Sequence, residues 1–173
     1  MDKSSRPPVF GPDILVRERI GLALSLFETW EARLRQDERV ASGLAGLARA
    51  LEGSRRLMAD LGLVKTCRWC EEEEGGSCCG LGIENRYGPV LLLLNLLLGV
   101  DLPGDREQLD SCYFLKKNGC CLKVRHVLCV NYLCGRLKET ISPEGLNVLQ
   151  ALQGEELNTG FALQETVRRM VES

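Results

Sequence analysis

Apolar residues recur every three or four positions over residues 12–38, at Val16, Ile20, Ala23, Phe27, Trp30 and Leu34, which predicts an amphipathic helix opening near Pro12. A break is expected around Val40 to Gly43. A second stripe, Leu44, Leu47, Leu51, Met58 and Leu61, then runs to Gly62 with Ser54 standing in the gap. The two helices are read as an antiparallel hairpin with solvated arginines and glutamates on the outer faces. VLLLLNLLL at 90–98 is apolar on every side and is bounded by Arg86 and Asp101. Spanning a bilayer takes about 20 residues, so the segment is read as a helix from roughly Asn85 to Gly99 at the centre of a core, with Asn95 needing a buried partner.

Pro103 and Gly104 mark Asp101 to Asp110 as a loop. CYFLKKNGCCLKV then reads as two short strands around Asn118-Gly119. One helix is expected from Val127 to Thr140. Ser142-Pro143 opens another, and a last amphipathic stretch runs from Glu155 to Val171 through Leu157, Phe161, Leu163, Val167 and Met170, provided Gly160 is tolerated. The expected fold is mainly α with a small β-hairpin, in a single domain spanning 1–173. It divides into a helical hairpin (12–62), a cysteine-bearing middle (67–134) and C-terminal helices (142–173).

Composition changes this picture at one point. A chain of 173 residues can bury a core without covalent help, and 45% hydrophobic with 27% charged residues is ordinary. A formal net charge of -2 gives no electrostatic footprint for nucleic acid. MDKSSRPPVFGPD carries no apolar core of a secretory signal, so a cytoplasmic setting is expected, with neither nucleic acid nor membrane as partner. The nine cysteines are the abnormal feature, all lying between residues 67 and 134. In a reducing compartment such clustering points to metal binding or redox work more than to structural disulfides, and the odd count leaves one thiol over in any complete pairing.

CRWCEEEEGGSCCG, residues 67–80, poses the choice most sharply: a disulfide framework, a redox dithiol or thiolates converging on a metal. A C-x-x-C turn curls the chain around an ion and aims backbone N–H groups at the sulfurs, but alone it is weak evidence. Company strengthens it, since Cys112, Cys120, Cys121, Cys129 and Cys134 follow on the hairpin and the helix after it. A three-residue loop, Lys117-Asn118-Gly119, would put Cys112 and Cys120 on one face; a two-residue turn at Asn118-Gly119 would join Cys121 to Cys112 instead. Spacing leaves both open. Cys129 and Cys134 on one helix would diverge by about 140°, making Cys129 the better placed and giving Cys134 a place in the core as its other reading.

Taken together, C-R-W-C, C-C-G, S-C-Y-F-L, G-C-C-L and R-H-V-L-C resemble the zinc- or iron-chelating domain family of small bacterial cysteine-cluster proteins of the YkgJ type. The resemblance covers residues 67 to about 134. It implies ligands at Cys67, Cys70, Cys78, Cys79, Cys112, Cys120 and Cys129, selecting Cys120 over Cys121 in keeping with the three-residue loop; Cys134 completes the candidate set. The chain departs from the family pattern in the seven residues between Cys70 and Cys78, in His126 where proline is usual, and in a stretch from Cys120 to Arg125 one residue short.

Seven or eight thiolates exceed what one tetrahedral zinc uses, which leaves two zinc sites or an iron–sulfur cluster, such as a 4Fe-4S core, with spare or second-cluster cysteines; the adjacent cysteines favour the cluster. Adjacent cysteines diverge, and a multi-iron core offers separated attachment points. His126, the only histidine, is expected to hydrogen-bond to a loop carbonyl or to solvent; Trp69 is a candidate shield against water, and Arg125 either neutralises thiolate charge or lies on the surface. The four glutamates read as a solvated loop insertion. No nucleotide loop or nucleophile with a matching histidine is visible. The expectation is a metal or cluster protein in electron transfer or metal handling, with a protein redox partner. The alternatives are a cluster-dependent redox or group-transfer enzyme, a zinc-stabilised interaction module, or a bare thiol–disulfide switch.

Overall fold

The computed structural model describes residues 13–74, 79–117 and 119–172, with side chains at all of these positions except 68 and 70–74. Seven α-helices occur among the described residues: α1 (Ile14–Gln36), α2 (Glu38–Asp60), α3 (Leu63–Glu74), α4 (Pro89–Leu97), α5 (Val127–Asn131), α6 (Gly135–Thr140) and α7 (Pro143–Val171). A 3-10 turn at Ile83–Arg86 precedes α4, and β1 (Leu115–Lys116) pairs antiparallel with β2 (Gly119–Cys120). The mainly helical class with a small β-hairpin is therefore as expected. Pro12, the expected helix start, lies outside the described residues.

The break between the first two helices falls at Asp37, not at Val40 to Gly43. The Asp37 carboxylate accepts hydrogen bonds from the amides of Arg39 (3.0 Å) and Val40 (3.2 Å), capping α2 ahead of the whole expected break. Gly43 sits inside α2 because α7 crosses close above it: a Cβ there would lie 2.8 Å from Leu163 Cδ1. Glycine here permits helix contact and does not end a helix. The two helices touch each other, yet α1 packs chiefly on α4 and α2 chiefly along α7.

Buried Val16, Ile20, Ala23 and Leu34 of α1 meet the leucines of α4, of which Leu92, Leu93 and Leu94 are fully enclosed. Each such leucine contributes roughly 2 kcal/mol when taken from water. The core helix is shorter than the expected Asn85 to Gly99. Gly88 is extended and Pro89 takes the first helical position, where its missing N–H costs nothing, so Asn85 and Arg86 belong to the 3-10 turn. Asn95 finds the buried partners it requires. Its Nδ2 donates to the carbonyls of Leu91 and Val124, both at 3.0 Å, and its Oδ1 accepts from the amides of Lys123 (2.8 Å) and Val124 (2.9 Å).

The expected helix over Val127 to Thr140 is two helices. Tyr132 and Cys134 are extended, and the step between α5 and α6 sends Leu133, Leu137 and Ile141 into a second apolar cluster with Leu63 of α3 and Leu149 of α7. Apolar residues at three- and four-residue spacing conceal that step. The C-terminal helix runs unbroken from Pro143 to Val171, capped by Ser142 Oγ on the Gly145 amide. Gly160 is accommodated with ordinary contacts to Leu47 and Val124, whereas Phe161, expected in the apolar stripe, is 68% exposed. The inner face of α7 instead carries buried Gln153 and Glu156, the latter accepting from Ser54 Oγ of α2, the residue in the gap of the α2 stripe.

The Asn95 side chain yields a direct test. Asn95→Leu keeps the branched shape but leaves two amides and a carbonyl without these partners, at about 1–3 kcal/mol each. Urea unfolding should show a loss of at least about 2 kcal/mol, and an unchanged midpoint would refute the role given to this side chain.

Candidate metal centre

Three thiols from separate elements draw together beside the main core. Cys112 precedes β1, Cys120 ends β2, and Cys129 is the third residue of α5. Cys112 lies within electrostatic reach of Cys120 and Cys129, and Cys120 within reach of Cys129. The hairpin that helps assemble them follows neither expected geometry. Leu115 pairs with Cys120 and Lys116 with Gly119, so positions 117 and 118 lie between the paired residues, and Gly119 adopts the left-handed φ of 99°. Strand parity does not extend to Cys112, because the chain turns just before β1, where the Leu115 amide donates to the Cys112 carbonyl at 2.9 Å. Cys121 donates its amide to Phe114 and packs half-buried against the core.

Cys79 joins this group through its backbone. Its carbonyl accepts from the Cys112 amide at 2.6 Å, and Gly80 bridges Ser111, so the end of the first cysteine motif lies alongside the start of the second. Buried Arg106 anchors the same corner by pairing with Asp13 (2.5 Å) and Glu84 and donating to the Ser111 carbonyl.

The C-x-x-C does not form a turn. Cys67 and Cys70 stand on α3, and Glu71–Glu74 continue its backbone, so the expected acidic loop begins as helix. Trp69 is 46% exposed and lies under the guanidinium of Arg136, at 4.5 Å, facing α6 instead of shielding the thiols of the main core. Cys134, the N-cap residue of α6, packs against the second apolar cluster, to which α3 contributes Leu63. Cys67, Cys70 and Cys134 thus belong to the α3–α6 end, and Cys79, Cys112, Cys120 and Cys129 to the α4 end. Cys78 lies outside the described residues, as does the side chain of Cys70. Among the described residues, no three His, Cys, Asp or Glu side chains stand close enough to enclose an ion as they are placed.

Tyr87 was not singled out by any motif, yet it holds the centre of the α4 group. Its hydroxyl donates to Cys129 Sγ at 3.5 Å and accepts from the His126 amide at 3.1 Å, and its ring meets Phe114 edge-on. Burial, then the neighbouring Cys129 and Cys120, pushes the phenol well above its usual range, so it stays a donor. His126 caps α5: Nδ1 accepts from the Leu128 amide at 3.2 Å, and burial with Arg86 nearby lowers its pKa. The Nδ1 partner is an amide in place of the expected loop carbonyl. Arg55 of α2 donates to the carbonyls of Leu122 (2.9 Å) and Lys123 (3.2 Å), and with Arg125 it sets positive charge near Cys120. Neither Tyr87 nor Arg55 has a local sequence signal, because each acts across more than 35 residues of chain.

Electrostatics divides the thiols. Burial, reinforced by Glu84, Cys120 and Cys129, pushes Cys112 up to about 12, and burial with Cys120 beside it pushes Cys121 up to about 11. Cys120 is raised by the protein atoms crowding it, although its residue keeps surface open to solvent, while Arg125 and Arg55 pull it down. In kind, these soft donors, an O–H donor and two cations suit a thiolate-held group.

Comparison with protein-family models, curated proteins and solved structures returns no match.

A thiol alkylates as thiolate. In metal-free protein near pH 8, iodoacetamide should modify exposed Cys67 at least about tenfold faster than Cys112, with the Cys112 rate rising steeply as pH climbs towards 12. Peptide mass mapping reads both rates, and equal rates would refute the burial of Cys112.

Proposed function

We propose that this chain is a metal-binding protein of the cytoplasm whose cysteines hold an iron–sulfur cluster, in preference to zinc, and that it serves electron transfer or metal handling with a protein redox partner. The observation that carries the reading is the meeting of Cys112, Cys120 and Cys129, brought from three elements into each other's electrostatic reach beside Cys79. Burial and neighbouring thiols disfavour ionisation of Cys112 and Cys120, and a cation or cluster is the natural counterpart that reverses this. The three cysteines stand on separate elements and, as placed, do not already surround one point. That arrangement favours a multi-iron core with separated attachment points over a single zinc.

Cys112, Cys120 and Cys129 would hold the group, with Cys79 or its neighbour Cys78 supplying a further thiolate. A bound cluster would supply one-electron transfer. The chain's own residues do the rest: Phe114 and Tyr113 exclude water, Tyr87 donates a hydrogen bond to the Cys129 sulfur, and Arg55 and Arg125 offset thiolate charge near Cys120. A donor and two cations at the sulfurs favour the reduced form. Cys67, Cys70 and Cys134 lie with α3 and α6, where a second centre would form.

Anaerobic purification followed by iron, zinc and acid-labile sulfide analysis tests the assignment. Iron and sulfide with visible absorption are expected, lost in Cys112→Ser, Cys120→Ser and Cys129→Ser but retained in Cys134→Ser. Zinc in a colourless protein would overturn the cluster, and absence of both metals would overturn the reading as a whole. Uptake should release about one proton for each protonated thiol engaged, so affinity falls as pH is lowered, by up to about tenfold per unit for each. Titration in two buffers of different ionisation enthalpy measures that release.

A further inference from the structure

A cavity of about 520 Å³ opens on the other side of the 124–127 segment, between the start of α4 and the outer turns of α7, and no cysteine lines it. Its charged groups are Glu156, Arg125, His126 and Arg86. Glu156 is 3% exposed, and although its Oε2 accepts from Ser54, its Oε1 has no hydrogen-bond partner. Arg125 Nε is likewise buried without a partner. The nearest approach of the two side chains, Arg125 Nη2 to Glu156 Oε1, is 3.8 Å, too long for a hydrogen bond. A buried acceptor and a buried donor thus stand side by side at a cavity, each without a hydrogen bond.

We propose that this cavity binds a free α-amino acid with an apolar side chain. An ammonium and a carboxylate borne on one carbon match the two orphan groups: the ammonium donates to Glu156 Oε1 and the carboxylate accepts from Arg125 Nε. Exposed Arg86 adds a second cation for the carboxylate. Val124, Leu157 and Phe161 supply apolar wall, and the 68% exposure of Phe161 is that of an aromatic ring left without a partner until the side chain arrives. The ligand fits a site built, as small-molecule sites are, from apolar walls and a few convergent polar groups. This inference uses no thiol and shares only Arg125 with the metal reading.

Isothermal titration of the full chain with leucine, methionine and phenylalanine tests it, against leucinamide and N-acetylleucine. At least one free amino acid should bind in the millimolar range or tighter, and both analogues, each lacking one charge of the zwitterion, should bind at least about tenfold more weakly. Arg86→Ala, on the surface, should weaken binding several-fold while leaving the circular dichroism spectrum and Tm unchanged, and Glu156→Gln should abolish it. If none of the three binds the folded protein, or if leucinamide and N-acetylleucine bind as well as leucine, the proposal is wrong. Should Glu156→Gln fail to fold, the analogues and Arg86→Ala decide alone.

Discussion

One carboxamide, that of Asn95, ties the apolar centre of the molecule to the chain that carries its thiols. Helix α4 is buried on nearly all sides, and a polar group there is tolerable only when fully bonded. Asn95 meets that condition by gripping the backbone at Lys123 and Val124. Arg55 of α2 holds the adjacent carbonyls of Leu122 and Lys123. Between them they fix a segment of irregular backbone that has no ladder of its own, with Cys120 just before it and Cys129 just after. The same segment forms a wall of the cavity lined by Glu156 and Arg125, so the packing of α4 sets the geometry on both of its sides.

The electrostatic character of the two faces differs. On the thiol side, burial and neighbouring thiols push Cys112 and Cys120 up, while Tyr87, Arg55 and Arg125 stand ready to stabilise negative charge. A positive group entering there relieves several unfavourable terms together. On the α7 side, Ser54, Glu156 and Arg125 form a buried polar network whose bonding is incomplete. Such networks are high-stakes in a low-dielectric interior, where each unpaired atom is felt.

Periodicity made the long helices legible. The stripes of α1, α2 and α7 and the all-round apolarity of α4 were sufficient to place them and to require a partner for Asn95. Glycine misled at Gly43, since a residue that breaks helices also lets them cross closely, and only the position of Leu163 decides which. The step between α5 and α6 was hidden because Val130, Leu133 and Leu137 keep helical spacing while the last two serve a different cluster. The C-x-x-C was read as a turn by analogy with metal loops, whereas LVKTCRWCEEEE has no breaker and continues as α3. The nine cysteines marked the region of interest, but spacing had no means of separating the α3–α6 thiols from the α4 thiols. Tyr87 and Arg55 were invisible for the same reason, as their partners are distant in sequence.

Cadmium-113 NMR of the cadmium-loaded chain tests most directly whether thiols remote in sequence share one centre. Scalar coupling of a single cadmium resonance to the β-protons of Cys112, Cys120 and Cys129 is the predicted result. Cadmium coupled solely to sequence neighbours such as Cys120 and Cys121, with Cys112 and Cys129 uncoupled to any metal, would contradict it.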